Sequence, residues 1–100
     1  MSKVFILHDN PHSPKNFISA EEYGELVVLF NYHISHVGLQ RACSQLREKL
    51  RNISSDDWVI TVGHPALICL AGKVISEKLG EIKLLMWDQQ AARYIPARIK

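Results

Sequence analysis

Only two cysteines, Cys43 and Cys69, occur in this chain of 100 residues. That scarcity argues against the disulfide framework of a small secreted domain and fits a reducing compartment. No apolar run approaches the roughly 20 residues needed to span a bilayer. Charge of neither sign dominates: 12 Lys and Arg against 10 Asp and Glu leave a net +2. A balance that small does not argue for nucleic acid, although it leaves room for a local patch. The glycine repetition of a dinucleotide-binding loop is missing, as are the Lys of a P-loop and the His-Glu-x-x-His pair of a zinc hydrolase. The start, MSKVFILHDN, lacks the long apolar stretch and small-residue cleavage site of a signal peptide. The expectation is a soluble cytoplasmic protein.

What is present is an ordinary globular composition, 47% apolar and 22% charged. One hundred residues make a single α/β domain over 1–100, large enough to bury about 60–70% of its unfolded surface. Residues 56–87 carry the strongest pattern. Trp58 to Val62 is a β-branched and aromatic run suited to a strand buried on both faces. Gly63 breaks it, and Pro65 stands where a first helical residue has no N–H to lose. Leu67, Leu70, Ala71, Val74 and Lys78 follow helical spacing, with the Lys stem closing the stripe. Gly80 fits the left-handed position beyond a helix end. Ile82 to Trp87 is the next apolar run. Strand, helix and strand in this order read as a βαβ unit with a right-handed parallel crossover.

The rest of the chain is organised around that unit. Val4 to Leu7 reads as a first strand, and the Pro- and Asn-rich residues 8–16 as a loop. Ser19-Ala20-Glu21-Glu22 has the form of a capping box. Residues 23–30 fit either one helix to Phe30 or a helical turn or two followed by a strand from about Leu26. The second reading is preferred because Gly24 weakens a helix. Leu39, Ala42, Cys43, Leu46, Leu50 and Ile53 form the stripe of an amphipathic helix, and Ser54 to Asp57 a polar turn. Cys43 and Cys69 both fall on expected apolar helix faces, as buried thiols. Ile82–Trp87 and Tyr94–Ile99 flank a polar turn and suggest a hairpin, with Pro96 placing the last strand at an edge. The expected fold class is α/β: a small mixed sheet of four to five strands with two main helices, the βαβ unit at 56–87 and a C-terminal hairpin.

Candidate chemistry sits where open α/β sheets place ligands, beyond the carboxyl ends of parallel strands. Gly63 and His64 occupy that position, with the N-terminus of the following helix able to receive an anion. Asp9, after the first strand, is a possible acid–base group or a turn former. The alternative for Gly63-His64-Pro65 is a tight turn with a capping His. His8, Asp9, His12, His33, His36 and His64 suit metal in type, but their spacing in expected loops carries no geometry. No metal, cofactor or catalytic residue is assigned. Ser13, Ser19 and the cysteines lack a neighbouring base. Arg41, Arg47, Lys49, Arg51, Arg93, Arg98 and Lys100 read as a solvated face before a nucleic-acid site. Trp87 and Tyr94 face each other across the hairpin, as core packing or as a partner surface.

The segments Ala20-Glu21-Glu22-Tyr23-Gly24-Glu25-Leu26-Val27, Asp57-Trp58-Val59-Ile60-Thr61-Val62-Gly63, and Gly80 with Leu84-Leu85-Met86-Trp87 resemble a group of small, uncharacterised accessory proteins of tailed bacteriophages. The resemblance implies a viral accessory protein acting in the host bacterial cytoplasm, and it carries no catalytic residues. The expected function is non-enzymatic binding of a host or phage macromolecule, foremost a protein, with self-association through an edge strand. The alternative is a binder of a phosphate-bearing small molecule, or an enzyme, using Gly63, His64 and Asp9. Nucleic acid ranks below both, and no membrane partner is expected.

Overall fold

The computed structural model describes residues 2–9 and 16–100. Its elements run β1 (Lys3–His8), a 3₁₀ helix (Ile18–Tyr23), β2 (Glu25–Phe30), α1 (Leu39–Lys49), β3 (Trp58–Ile60), α2 (Pro65–Leu79), β4 (Ile82–Asp88) and β5 (Arg93–Ile99). The five strands form one sheet in the order β2-β1-β3-β4-β5. The first four are mutually parallel and β5 returns antiparallel to β4. The mixed sheet, the βαβ unit and the C-terminal hairpin are those expected from the sequence. Residues 10–15, including His12, Ser13 and most of the expected first loop, lie outside the described residues.

Strand alternation divides the core in two. Phe5 and Leu7 of β1 join Val59 of β3 on one face, where α1 contributes Ala42 and Leu46 and α2 contributes Leu67, Ala71 and Ile75. Val4 and Ile6 join Ile60, Leu85 and Tyr94 on the other face, under Phe17 and Ala20. Both α-helices therefore cover the same face, and among the described residues the opposite face has only the 3₁₀ helix and its lead-in. Right-handed crossovers require this division. The step from β1 to β2 runs one way along the sheet. The steps from β2 to β3 and from β3 to β4 run the other way and must cross on the opposite side.

Several local expectations are revised. Ser19 does not cap a helix: the 3₁₀ helix starts one residue earlier, after Phe17, with no side-chain cap. His8, read as the first loop residue, is the buried last residue of β1. The strand at 58–62 stops at Ile60. Helix α1 ends at Lys49, yet Leu50 and Ile53 remain in the core through the turns that follow. Cys43 is half-buried, but Cys69 is exposed. The residues of α2 that face the sheet are Leu67, Ala71 and Ile75, four apart. Cys69 stands about 200° around the helix from Leu67 and so points away. Lys78 is also exposed, its ammonium hydrogen-bonding the Arg51 carbonyl beyond α1. Gly80 takes the expected left-handed C-cap, φ 77°, and its N–H donates to the Ser76 carbonyl.

Asp57, 6% exposed, joins the entry of β3 to the entry of β1. Its Oδ1 accepts from the Lys3 N–H at 2.9 Å, and its Oδ2 from the Ser54 N–H at 2.8 Å and the Ser54 hydroxyl at 3.2 Å. Removing the carboxylate strands two main-chain donors at the sheet's lower rim. Asp57→Ala is expected to cost about 2–3 kcal/mol, a fall in Tm on the order of 10 °C for a domain this size. Asp57→Asn, which keeps one acceptor, should lose less. Thermal denaturation followed by circular dichroism checks both, and an Asp57→Ala protein that melts with the wild type would refute the tie.

Candidate functional site

The strand order places a switch point between β1 and β3, whose following connections leave for opposite faces. The sequence-predicted residues gather around these two strand ends. His8 is 5% exposed and its Nε2 lies 2.8 Å from the Tyr32 carbonyl. A carbonyl only accepts, so Nε2 carries the proton, and in the neutral ring Nδ1 is a bare acceptor. Nδ1 has no hydrogen-bond partner among the described residues. What it faces is Gly63: a Cβ built there would stand 2.3 Å from His8 Cβ and 2.9 Å from Nδ1. Gly63 has φ 116°, which a side chain would also strain. The chain end of β3 can thus pass the His8 ring only as glycine.

Asp9 donates its N–H to the Phe30 carbonyl at 2.8 Å, which prolongs the β1–β2 pairing. Its buried Oδ1 has no hydrogen-bond partner among the described residues. His64 is the N-cap of α2, accepting the Ala66 N–H on Nδ1 at 3.1 Å. The His64 carbonyl accepts from Leu67 and Ile68 at 3.0 and 3.2 Å. With Pro65 lacking an N–H, every amide of the first turn of α2 is engaged, leaving no first-turn donor for an anion. The ring of His36 meets that of His64 edge-on, 5.8 Å between centroids. His33 lies in the same loop as His36. Among the described residues no group of three or more His, Cys, Asp or Glu is arranged to hold a metal ion.

The open space in the molecule lies beside these residues, on the face opposite the α-helices. A cleft of about 920 Å³ runs between the start of the 3₁₀ segment and the carboxyl ends of β3 and β4. Phe17, Ile18, Val62, Met86, Trp87 and Tyr94 supply its apolar walls. Asn16, Ser19, Thr61 and Gln89 supply polar groups, and among the described residues no charged side chain lines it. Met86 and Trp87 are 44% and 50% exposed. Trp87 is held by its expected cross-strand neighbour Tyr94, edge to face with centroids 5.1 Å apart. Burial raises the Tyr94 phenol pKa, so it stays neutral. Tyr23 donates its hydroxyl to the Tyr94 carbonyl at 3.3 Å, fixing the 3₁₀ helix to β5.

The cleft exists because the connection after β1 offers one short 3₁₀ helix where a full crossover helix would cover β3 and β4. Trp87 and Tyr94 had a signal in the sequence, the hairpin register. Phe17, Ile18, Thr61 and Val62 had none, because nothing local tells which connection leaves a face bare.

Two substitutions test the strand-end geometry. Gly63→Ala should cost about 3 kcal/mol or more, from backbone strain and from displacing His8. His64→Ala should cost about 1 kcal/mol, the loss of one helix cap. Denaturant unfolding measures both. Equal effects at the two positions would contradict the close approach of Gly63 to His8.

No helix among the described residues is long and apolar enough to cross a membrane. No curated protein and no solved structure matches the sequence. A protein family does: the sequence matches the phage Pam3 gp32-like protein family over residues 2–100, nearly its whole length. With that extent of agreement, the chain belongs to the phage Pam3 gp32-like protein family.

Proposed function

We propose that this phage protein is a non-enzymatic accessory factor that binds a host or phage protein in the bacterial cytoplasm, using the cleft above β3 and β4. The observation that carries the reading is the lining of that cleft: apolar walls, polar groups with no charged side chain among the described residues, and Ile18 and Trp87 exposed. Exposed apolar surface rimmed by polar groups is the usual mark of an interaction site. Trp, Met and Tyr are enriched at protein interfaces, and Trp and Tyr bury much area while losing little side-chain freedom. An apolar segment of a partner, its main chain meeting Asn16, Thr61 and Gln89, suits the site.

A second reading keeps the cleft and changes the occupant to a small uncharged molecule. The volume supports it, since ligand pockets commonly measure about 300–1,000 Å³. The phosphate-binding alternative at Gly63, His64 and Asp9 has less support, because the first turn of α2 spends its amides on its own cap.

A photo-crosslinking residue at position 18, an exposed wall of the cleft, introduced during infection, distinguishes these readings. The expected result is one discrete protein adduct that disappears when Trp87→Asp is added, while the variant keeps its fold by circular dichroism. The purified pair should then bind at least about tenfold more weakly with Trp87→Asp, a difference of about 1.4 kcal/mol. A pattern of adducts unchanged by Trp87→Asp would overturn the proposal.

A further inference from the structure

The two edges of the sheet are not alike. At one edge β5 carries Pro96, which cannot donate to a neighbouring strand, and Arg93 and Arg98 among its seven residues. Proline and charge are the common protections of an open edge. Arg98 is further engaged with Glu81 at 2.7 Å. At the other edge β2 reads Glu25-Leu26-Val27-Val28-Leu29-Phe30, with no proline, no lysine and a single charge at its first residue. Val28, near its middle, is 41% exposed. This edge is unprotected in every respect in which β5 is protected.

The residues of β2 also complement themselves. Two copies joined edge to edge by a two-fold axis pair antiparallel, and the axis must stand perpendicular to the sheet. Facing residues then share a side of the sheet, so the register numbers of each facing pair must sum to an even number. Centred on Val28, the pairing sets Val28 against Val28 of the second copy and Val27 against Leu29, both of the latter on the α-helix face; the alternation of β2 ends there, since Phe30 lies on that face as well. The only charge, Glu25, stays outside these pairs at each end. Centred on Val27 instead, Glu25 would face Leu29, which desolvates a carboxylate against an apolar side chain. The Val28 register covers the exposed valine of each copy with its mate, and it opposes no like charges. We propose that this protein forms a two-fold dimer through β2, extending the five-stranded sheet to ten strands.

The surface is separate from the cleft, which opens over β3 and β4. The dimer therefore stands or falls independently of the cleft-binding function.

Sedimentation equilibrium across a range of protein concentrations tests it, with hydrogen exchange at β2 read in parallel. The expected result is a monomer–dimer equilibrium in which the β2 amides gain protection as concentration rises. Val28→Lys places two ammonium groups face to face and should weaken dimerisation at least tenfold. Because Val28 is exposed in the single chain, the variant should keep the wild-type circular dichroism spectrum. Ile99→Lys on β5 and Trp87→Asp in the cleft should leave the equilibrium unchanged. A protein that stays monomeric at every concentration would overturn the proposal. So would a dimer insensitive to Val28→Lys, or one dissolved by Ile99→Lys or Trp87→Asp.

Discussion

The handedness of the crossover connections governs this molecule more than any single contact. A right-handed β-crossover-β path leaves no choice of face once the direction of each step along the sheet is set. With strand order β2-β1-β3-β4-β5, the first step and the next two must cross on opposite sides. The amphipathic segments α1 and α2 belong to the second and third steps, so both pack on one face, over Phe5, Leu7 and Val59. The first step has a short 3₁₀ helix to offer, and the last strand arrives by a hairpin with no helix at all. One face is consequently thick and complete. The other is complete only over β1, where Phe17 and Ala20 cover Val4 and Ile6.

Two local devices keep that arrangement in register. At the amino ends of the strands, the Asp57 carboxylate holds the Lys3 amide and the Ser54 turn together, so that β1 and β3 start side by side. At the carboxyl ends, Gly63 lets β3 leave the sheet against the His8 ring, which is itself held by the Tyr32 carbonyl after β2. Strands β1 and β3 are thereby tied at both rims, and β2 joins them at the carboxyl rim. The polar groups that do this, Asp57 and His8, are the two polar or charged residues buried among the described side chains. The same packing closes the N-terminus of α2 on its own His64, so the place where related architectures receive anions is used here for structure. The open cleft lies alongside, with no charged side chain among its described lining residues.

How far the sequence could be read depended on whether each signal was local. The βαβ unit was legible because Pro65, the Leu67–Val74 spacing and Gly80 each act within a turn or two of the chain. The hairpin was legible for the same reason, including the pairing of Trp87 with Tyr94 and the edge position implied by Pro96. The choice of strand over helix at Glu25–Phe30 also held, because Gly24 interrupts the helical pattern. The expected burial of Cys69 failed because helical periodicity marks a stripe without fixing its centre, and the sheet selected Leu67, Ala71 and Ile75. His8 was misread because a histidine beside Asp9 and two prolines looks like loop, whereas its partners, Tyr32 and Gly63, lie far away in the chain.

By itself, then, the sequence determined the main elements, their order, the caps of α2 and the mixed character of the sheet, since these follow from side-chain periodicity and turn chemistry over a few residues. Only the tertiary structure decided which face each connection covers, which edge is left unguarded and where the cleft opens. Those outcomes depend on which strands become neighbours, and on the single hand in which an L-amino-acid chain crosses between them.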